Sequence, residues 1–326
     1  MTTARIVSLS ELGNADVIQL IDKELPDPGK GEVQLRQTAI GFNFIDVYQR
    51  SGVYPLELPT GLGHEAVGVV EALGEGVTRF KVGDRVAYMN AGIGAYASAR
   101  NVAVDKLVSV PDDVSDEVAA AVFFKAMTAQ YLVQKTYKVR SGDVVLVHAA
   151  AGGVGQILSG WAKSLGAFVV GTVGSEAKFA AAKEAGCDAV VDYSKPNWVE
   201  EFMKVTGGRK ANVVYDSVAK TTFLGSLDCA APFGTVALFG AASGPAPEIQ
   251  PEILNKKGCL FLTRPSVFPH NATPELLQEN ARAVFDAIAQ GRVKVQIGAR
   301  FKLEQAVEAH KAAEGRKVSG AIVIAP

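Results

Sequence analysis

Among 326 residues there are only three cysteines, two tryptophans, four histidines and four methionines. Cys187, Cys229 and Cys259 are scattered. This excludes a disulfide framework and the paired-cysteine knuckle of a structural zinc site, and a reducing compartment, the cytoplasm, is the expected location. Each reads as a small core residue rather than a nucleophile. Surplus charge is missing as well. The 33 basic and 34 acidic residues give a formal net charge of −1, with no basic block to neutralise nucleic-acid phosphates or to bind an anionic membrane. No apolar run approaches the roughly twenty residues that span a bilayer, and Met1-Thr2-Thr3-Ala4-Arg5 lacks the apolar core of a signal peptide. No internal repeat or low-complexity tract is present. The length exceeds what one core usually fills, so two domains are expected.

The informative run is Val144-Val145-Leu146-Val147 followed by His148-Ala149-Ala150-Ala151-Gly152-Gly153-Val154-Gly155. Four consecutive apolar residues suit a parallel strand covered on both faces. From Gly155 the apolar residues Ile157, Leu158, Trp161, Ala162 and Leu165 recur at helical spacing. A strand, a tight glycine turn and a helix make a pyrophosphate cradle: the fingerprint places fall on Ala150, Gly152 and Gly155, and the unpaired N–H groups of the helix start face a diphosphate. On pattern alone an ordinary strand-to-helix turn reads the same residues.

The segments beyond the cradle strengthen the nucleotide reading. Strand and helix signals alternate: Phe168–Val173, the alanine-rich stretch from Glu176, Ala189–Val191, the segment around Trp198 and Phe202, Asn212–Val218 and Thr235–Gly240. Such alternation predicts an α/β fold with a doubly wound parallel sheet of the Rossmann type, whose strand ends form the ligand crevice. An acid at the end of the second strand would bind a ribose 2′-hydroxyl and repel a 2′-phosphate. This chain has Gly171-Thr172-Val173-Gly174-Ser175 there. Glu176 is explained by the helix dipole. Lys178 supplies a cation for a 2′-phosphate, although it also reads as a solvated helix lysine, and Tyr193 comes after the third strand. NADPH is therefore expected over NADH.

Before residue 126 the texture is that of a small irregular β domain, with alternating runs at Glu32–Arg36 and Ala66–Val70 broken by Gly74, Gly76 and Gly83. Ser115 is the expected N-cap of a helix. A strand is expected at Cys259–Thr263, helices at Pro274–Ala289 and Gln305–Ala313, and a closing strand at Ala321–Ile324.

Asn43-Phe44-Ile45-Asp46-Val47-Tyr48, Arg50-Ser51-Gly52-Val53-Tyr54-Pro55, Gly61-Leu62-Gly63-His64-Glu65-Ala66, the cradle and Tyr215-Asp216-Ser217-Val218 together resemble the zinc-independent quinone oxidoreductases. These are ζ-crystallin relatives in the medium-chain dehydrogenase/reductase superfamily, and the likeness runs along nearly the whole chain in matching order. It implies a discontinuous GroES-like catalytic domain of residues 1–126 and 265–326, a Rossmann dinucleotide-binding domain of residues 127–264, and an active cleft between them. By matching position, cofactor contacts fall on Asn43, Asp46, Tyr131, Gly152, Gly153, Val154, Gly155, Gly174, Ser175, Lys178, Tyr193, Ser217, Phe239, Gly240, Ser266 and Arg316. Without the resemblance, Arg316 is an ordinary solvated basic turn residue. Arg264 and His148 receive no role.

Alcohol dehydrogenases of that superfamily hold a catalytic zinc with two cysteines and a histidine. Here the matching positions are Asn43, His64 and Phe124, and one imidazole does not hold zinc strongly, so no metal is expected. His64 reads as a hydrogen-bonded histidine. Without a Lewis acid, the chemistry narrows to electron-poor acceptors: reduction of quinones with NADPH by hydride or stepwise electron transfer. Tyr48 and Tyr54 are the candidates to stack on the acceptor and to steady its growing negative charge, beside Asn43 and Asp46 at the nicotinamide. The two tyrosines also read as half-buried barrel residues, and Asp46 as a structural carboxylate. Reduction of the double bond of an α,β-unsaturated carbonyl stays open, as does a non-catalytic NADPH-binding structural, regulatory or RNA-binding protein. An apolar edge strand without lysine at Cys259–Thr263, together with the family's habit, implies a homodimer.

Overall fold

The computed structural model describes residues 2–294, 296–315 and 318–326. The chain divides into two compact units, Met1–Lys125, Asn271–Arg282 and Val295–Pro326 in the first, Ala126–His270 and Ala283–Lys294 in the second. The expected return at residue 265 differs from this grouping. The helix Pro274–Ala289 is unbroken, and buried residues along it (Leu277, Ala281, Val284, Phe285) lie on both sides of the division at residue 282.

In the first unit the strands are β1 (Thr2–Ser8), β2 (Gln19–Leu25), β3 (Glu32–Gly41), β4 (Glu65–Leu73), β5 (Arg85–Met89), β6 (Ala99–Ala103) and β7 (Leu107–Ser109). The second unit contributes β8 (Val144–Val147), β9 (Phe168–Val173), β10 (Ala189–Asp192), β11 (Ala211–Asp216), β12 (Ala230–Leu238) and β13 (Phe261–Thr263). The chain then returns to the first unit with β14 (Ile297–Lys302) and β15 (Ala321–Ala325).

β1 and β2 pair as an antiparallel hairpin, and the larger sheet runs β14-β15-β3-β4-β5-β7 with β6 added to β3. Alternation sets which side chains enter its core: Val33 and Leu35 of β3, Val70 of β4, Val86 and Tyr88 of β5, and Ile322 and Ile324 of β15 are all buried together. Fully burying a branched aliphatic side chain contributes about 1.5–3 kcal/mol.

The second unit is a six-stranded sheet in the order β10-β9-β8-β11-β12-β13, every pair parallel. Counted along the chain this is the order 3-2-1-4-5-6 of dinucleotide-binding sheets, and it reverses between β8 and β11, where such sheets open a crevice at their carboxyl ends. The all-apolar β8 is explained by cover on both faces: its four residues are 2% exposed or less.

Several expected boundaries shift. The helix after the cradle, α3 (Gly153–Ser164), opens at Gly153 rather than Gly155, with Gly152 as its extended N-cap. The strand expected from Cys259 begins at Phe261, because Cys259 adopts φ 56°. Cys259 is also exposed, unlike the buried Cys187 and Cys229, which corrects its reading as a core residue. Ser115 accepts the Val118 N–H at 3.3 Å at the start of α2 (Asp116–Tyr131). Among the described residues no helix is long and apolar enough to cross a membrane.

Candidate functional site

In the second unit the cradle begins where β8 ends. Ala149 turns the chain with φ 53°, a left-handed conformation that a glycine would adopt more readily. Gly155 answers a different constraint. A Cβ on it would lie 2.2 Å from the Ala149 carbonyl oxygen and 2.8 Å from Ala150 Cα, so only glycine lets the first turn of α3 close on the end of β8. The N–H groups of the first turn, those of Gly153 and Val154 included, have no helical carbonyl to bond and carry the positive end of the dipole. The expected residues Gly152, Gly153, Val154 and Gly155 thus lie together at the start of this helix.

The neighbouring strand ends bring two further groups of expected residues together. After β9, a Cβ on Gly174 would meet the Tyr193 hydroxyl at 2.9 Å, which places Gly174, Ser175 and Tyr193 in one corner. Ser175 caps a short 3-10 turn, Glu176–Lys178, and Lys178 is half-buried at its end. Glu176 points to another partner, Lys195, at 3.6 Å, both exposed. After β11 and β12, Gly240 packs on Ser217: a Cβ on Gly240 would lie 2.5 Å from the Ser217 carbonyl oxygen. Phe239 donates its N–H to the Asp216 carbonyl at 2.8 Å. Tyr131, buried, lies parallel on His270 at 4.4 Å between ring centroids, and burial pushes its hydroxyl up from the ordinary range. Ser266 is half-buried and its Oγ accepts the Phe268 N–H at 3.4 Å. Arg316 lies outside the described residues.

One hydrogen-bonded chain joins three of these strand ends. His148 Nδ1 is 2.7 Å from Thr172 Oγ1 in β9, and Nε2 is 2.9 Å from Ser226 Oγ. Ser226 uses its own hydrogen toward Asp216 Oδ2 at 2.8 Å or the Thr222 carbonyl at 3.1 Å. Nε2 of His148 must therefore donate, and Nδ1 accepts from Thr172. Burial lowers the His148 pKa, in keeping with this neutral tautomer. Asp216 also accepts the N–H groups of Val218 and Ala219, each at 2.9 Å, and so holds the turn before which Ser217 stands. His148, to which the sequence assigned nothing, is thus a structural member of the cradle.

The expected catalytic residues lie in the first unit, around α1 (Phe44–Arg50). Asn43 precedes the helix, and its N–H donates to Asp46 Oδ2 at 2.9 Å, a contact that fixes the helix start. Tyr96 donates its hydroxyl to the same oxygen at 3.1 Å, while Oδ1 has no partner among the described residues. Asp46 is fully buried, and desolvation raises its pKa to about 7 despite those two hydrogen bonds. Tyr48 and Tyr54 are half-buried with ring centroids 5.2 Å apart and planes tilted by 59°, and Phe44 meets Tyr48 edge-on at 5.2 Å. They form an aromatic surface on the outer side of the helix.

Beneath α1 lies a cluster that sequence reasoning did not assemble. Asn43 Nδ2 donates to Glu65 Oε1 at 2.8 Å, the Phe124 N–H to Glu65 Oε2 at 2.7 Å, and Lys125 Nζ approaches Oε1 at 3.3 Å. The signal was present: Lys125 interrupts the apolar run Ala119–Met127, and a lysine there is either a partnered buried charge or an error of periodicity. Its partner, 60 residues away, was not readable. His64 Nε2 is 2.9 Å from Gln49 Oε1, and burial lowers its pKa to about 4.

Residues 29–112 match the family model described as the alcohol dehydrogenase GroES-like domain, and residues 153–282 that described as the zinc-binding dehydrogenase. A quinone oxidoreductase of Pseudomonas aeruginosa is 45% identical, over 99% of this chain and 100% of its own length. The chain belongs to the quinone oxidoreductase family of medium-chain dehydrogenases/reductases. Within reach of that family is a 2-haloacrylate reductase of a Burkholderia species, 42% identical over 96% of each chain. The crystal structure of the Escherichia coli quinone oxidoreductase complexed with NADPH superposes with a TM-score of 0.96 at 42% identity, covering 99% of this chain and 100% of that one.

The second family model carries zinc in its name, and the donor set can be tested against the ion. Asn43 turns its amide N–H to Glu65, His64 Nε2 is engaged by Gln49, and Phe124 offers hydrocarbon. Among the described residues no group of three or more His, Cys, Asp or Glu side chains converges on one point. These residues do not fit zinc, which requires several nitrogen or thiolate donors.

Proposed function

We propose that this chain is an NADPH-dependent quinone reductase that works without a metal, by hydride or stepwise electron transfer. The observation that carries this reading is the pairing, in one chain, of a phosphate cradle closed by Gly155 with metal-ligand positions converted to Asn43 and Phe124. The cradle amides would hold the diphosphate. Lys178, with no acid at the end of β9, would select the 2′-phosphate. Tyr131, Ser217, Phe239, Gly240 and Ser266 would line the rest of the dinucleotide. Bound there, NADPH supplies a hydride.

Residues 1–126 and 265–326 act as the catalytic domain in this reading and 127–264 as the dinucleotide domain. Asn43 and Asp46 would face the nicotinamide, and the Tyr48–Tyr54 pair would stack on a flat acceptor and donate hydroxyl hydrogens to its oxygen. The likeness to a 2-haloacrylate reductase supports a second reading, reduction of the double bond of a conjugated carbonyl. NADPH oxidation monitored with 1,4-benzoquinone, a naphthoquinone and 2-alkenals separates the two. Turnover of the quinones supports the first reading, turnover of alkenals alone the second, and no turnover with any of them a binding protein.

The expected homodimer joins two copies through β13, the end strand of its sheet, where Phe261 is 63% exposed and the nearby Phe233 is 71% exposed. Sedimentation as a monomer at micromolar concentration would refute it. Three free cysteines accord with a cytoplasmic setting.

A further inference from the structure

Lys125 is 5% exposed, in an otherwise apolar turn of α2. Its pairing with Glu65 takes both charges out of water, the two side chains being 6% and 1% exposed. A well-packed apolar pair would be at least as stable in such a place, so stability does not account for the choice of residues. The fold makes room for the pair: a Cβ on Gly41 would lie 2.3 Å from Glu65 Oε1. Glu65 is fully used, accepting from Asn43, Phe124 and Lys125. Lys125 is not. Its ammonium has three N–H bonds, and Glu65 Oε1 is its one acceptor among the described residues, leaving two for another oxygen. One carboxylate therefore links this cation to Asn43 and to the backbone of Phe124, the two positions where the thiolate ligands of the zinc relatives have been replaced.

We propose that Lys125 is the electrophilic group of the metal-free site, donating an N–H bond to the acceptor oxygen that turns negative during reduction. The proposal rests on the quinone-reductase reading. The acceptor gains one hydride, with its two electrons, from the reduced nicotinamide, which leaves as oxidised dinucleotide. The resulting negative oxygen is held by the ammonium until it takes one proton from solvent, and hydroquinone departs. Glu65 aims the ammonium, and Asn43 fixes Glu65.

The test uses the full-length protein with Lys125→Met, Lys125→Arg, and Lys125→Met combined with Glu65→Gln, the last removing both charges so that no orphaned carboxylate confuses folding with catalysis. Circular dichroism checks the fold. Loss of one donor aimed at a developing oxyanion predicts a fall in kcat of about 10²–10³-fold for the methionine variants. The KM for NADPH should change little, arginine should restore part of the rate, and the loss should be larger with a naphthoquinone than with the more electron-poor 1,4-benzoquinone. A folded double variant with wild-type kcat overturns the role of Lys125 while leaving the reductase reading intact. A wild-type protein that reduces no quinone removes both. A readout free of cofactor is the ionisation of 4-nitrophenol bound to the protein, monitored by its absorbance. The wild type should lower the pH at which the bound phenol ionises, and the double variant should abolish that shift. No shift in the wild type also overturns the proposal.

Discussion

His310 presents an unusual cost to the first unit, and replacing it by phenylalanine should make the protein more resistant to acid. The imidazole is fully buried, and neither ring nitrogen has a hydrogen-bond partner among the described residues. Its contacts are aromatic edges: Phe42 at 5.0 Å and Tyr96 at 5.9 Å between centroids. Burial, with the nearby Arg50 guanidinium adding to it, lowers its pKa from 6.5 to about 3. A histidine depressed in the folded state is protonated first in the unfolded chain, so its stabilising share is complete above pH 6.5 and is lost as the pH falls from there toward 3. At pH 5 the unfolded imidazole is about 1.5 units below its pKa, a loss of about 2 kcal/mol at 1.36 kcal/mol per unit, and at pH 7.5 the loss is close to zero.

His310→Phe removes that proton-linked term. The larger ring carries its own packing penalty, about 1–3 kcal/mol, against relief of unsatisfied polar nitrogens of about the same size, and both are independent of pH. The difference between the two pH values isolates the titration. Asp46 contributes with the opposite sign, since a carboxylate raised to about 7 loses stability as pH rises from 3.8 toward 7, and that term is common to both proteins. Urea unfolding of wild type and variant, monitored by circular dichroism, should show the variant gaining about 2 kcal/mol at pH 5 relative to its standing at pH 7.5. Equal differences at the two pH values would refute the argument.

Gly155→Ala should weaken NADPH binding by at least about tenfold and lower stability by about 1–3 kcal/mol, since the new Cβ meets backbone that cannot yield; calorimetric titration and urea unfolding measure the two effects. Lys178→Ala should raise the Kd for NADPH about 10- to 100-fold, the worth of a charge-assisted hydrogen bond of about 1.5–3 kcal/mol, and leave NADH binding unchanged; equal effects on both would remove the 2′-phosphate role. His148→Ala should cost about 2–5 kcal/mol in urea unfolding, because it opens a cavity and leaves Thr172 and Ser226 short of a partner. Nitrogen-15 NMR of His148 should report a proton on Nε2 and none on Nδ1 near neutral pH.

Much of the second unit was legible because its signals are local. Val144–Val147 is a strand by composition, the glycines after it mark a turn, and the helix Pro274–Ala289 has the ends its pattern predicted. Misreadings fell where backbone conformation overrode residue type. The first fingerprint place was read at Ala150, whereas Ala149 takes the left-handed turn, and Cys259 leaves the expected strand at φ 56°. In the first unit the loss of metal-binding side chains at Asn43 and Phe124 was visible by resemblance, but what had replaced them was not. Glu65 and Lys125 are 60 residues apart, and nothing in either local segment names the other.

Sequence alone determined the period of each element and the glycine turn that suits a diphosphate, because these depend on residue type and spacing along the chain, while the resemblance implied the loss of thiolate ligands. The folded chain alone decided that Lys125 meets Glu65, that His148 ties β8 to β9 and, through Ser226, to Asp216, and that Asp46 and His310 are buried. Desolvation and hydrogen-bond geometry depend on which distant side chains surround a group, and only tertiary packing chooses those neighbours.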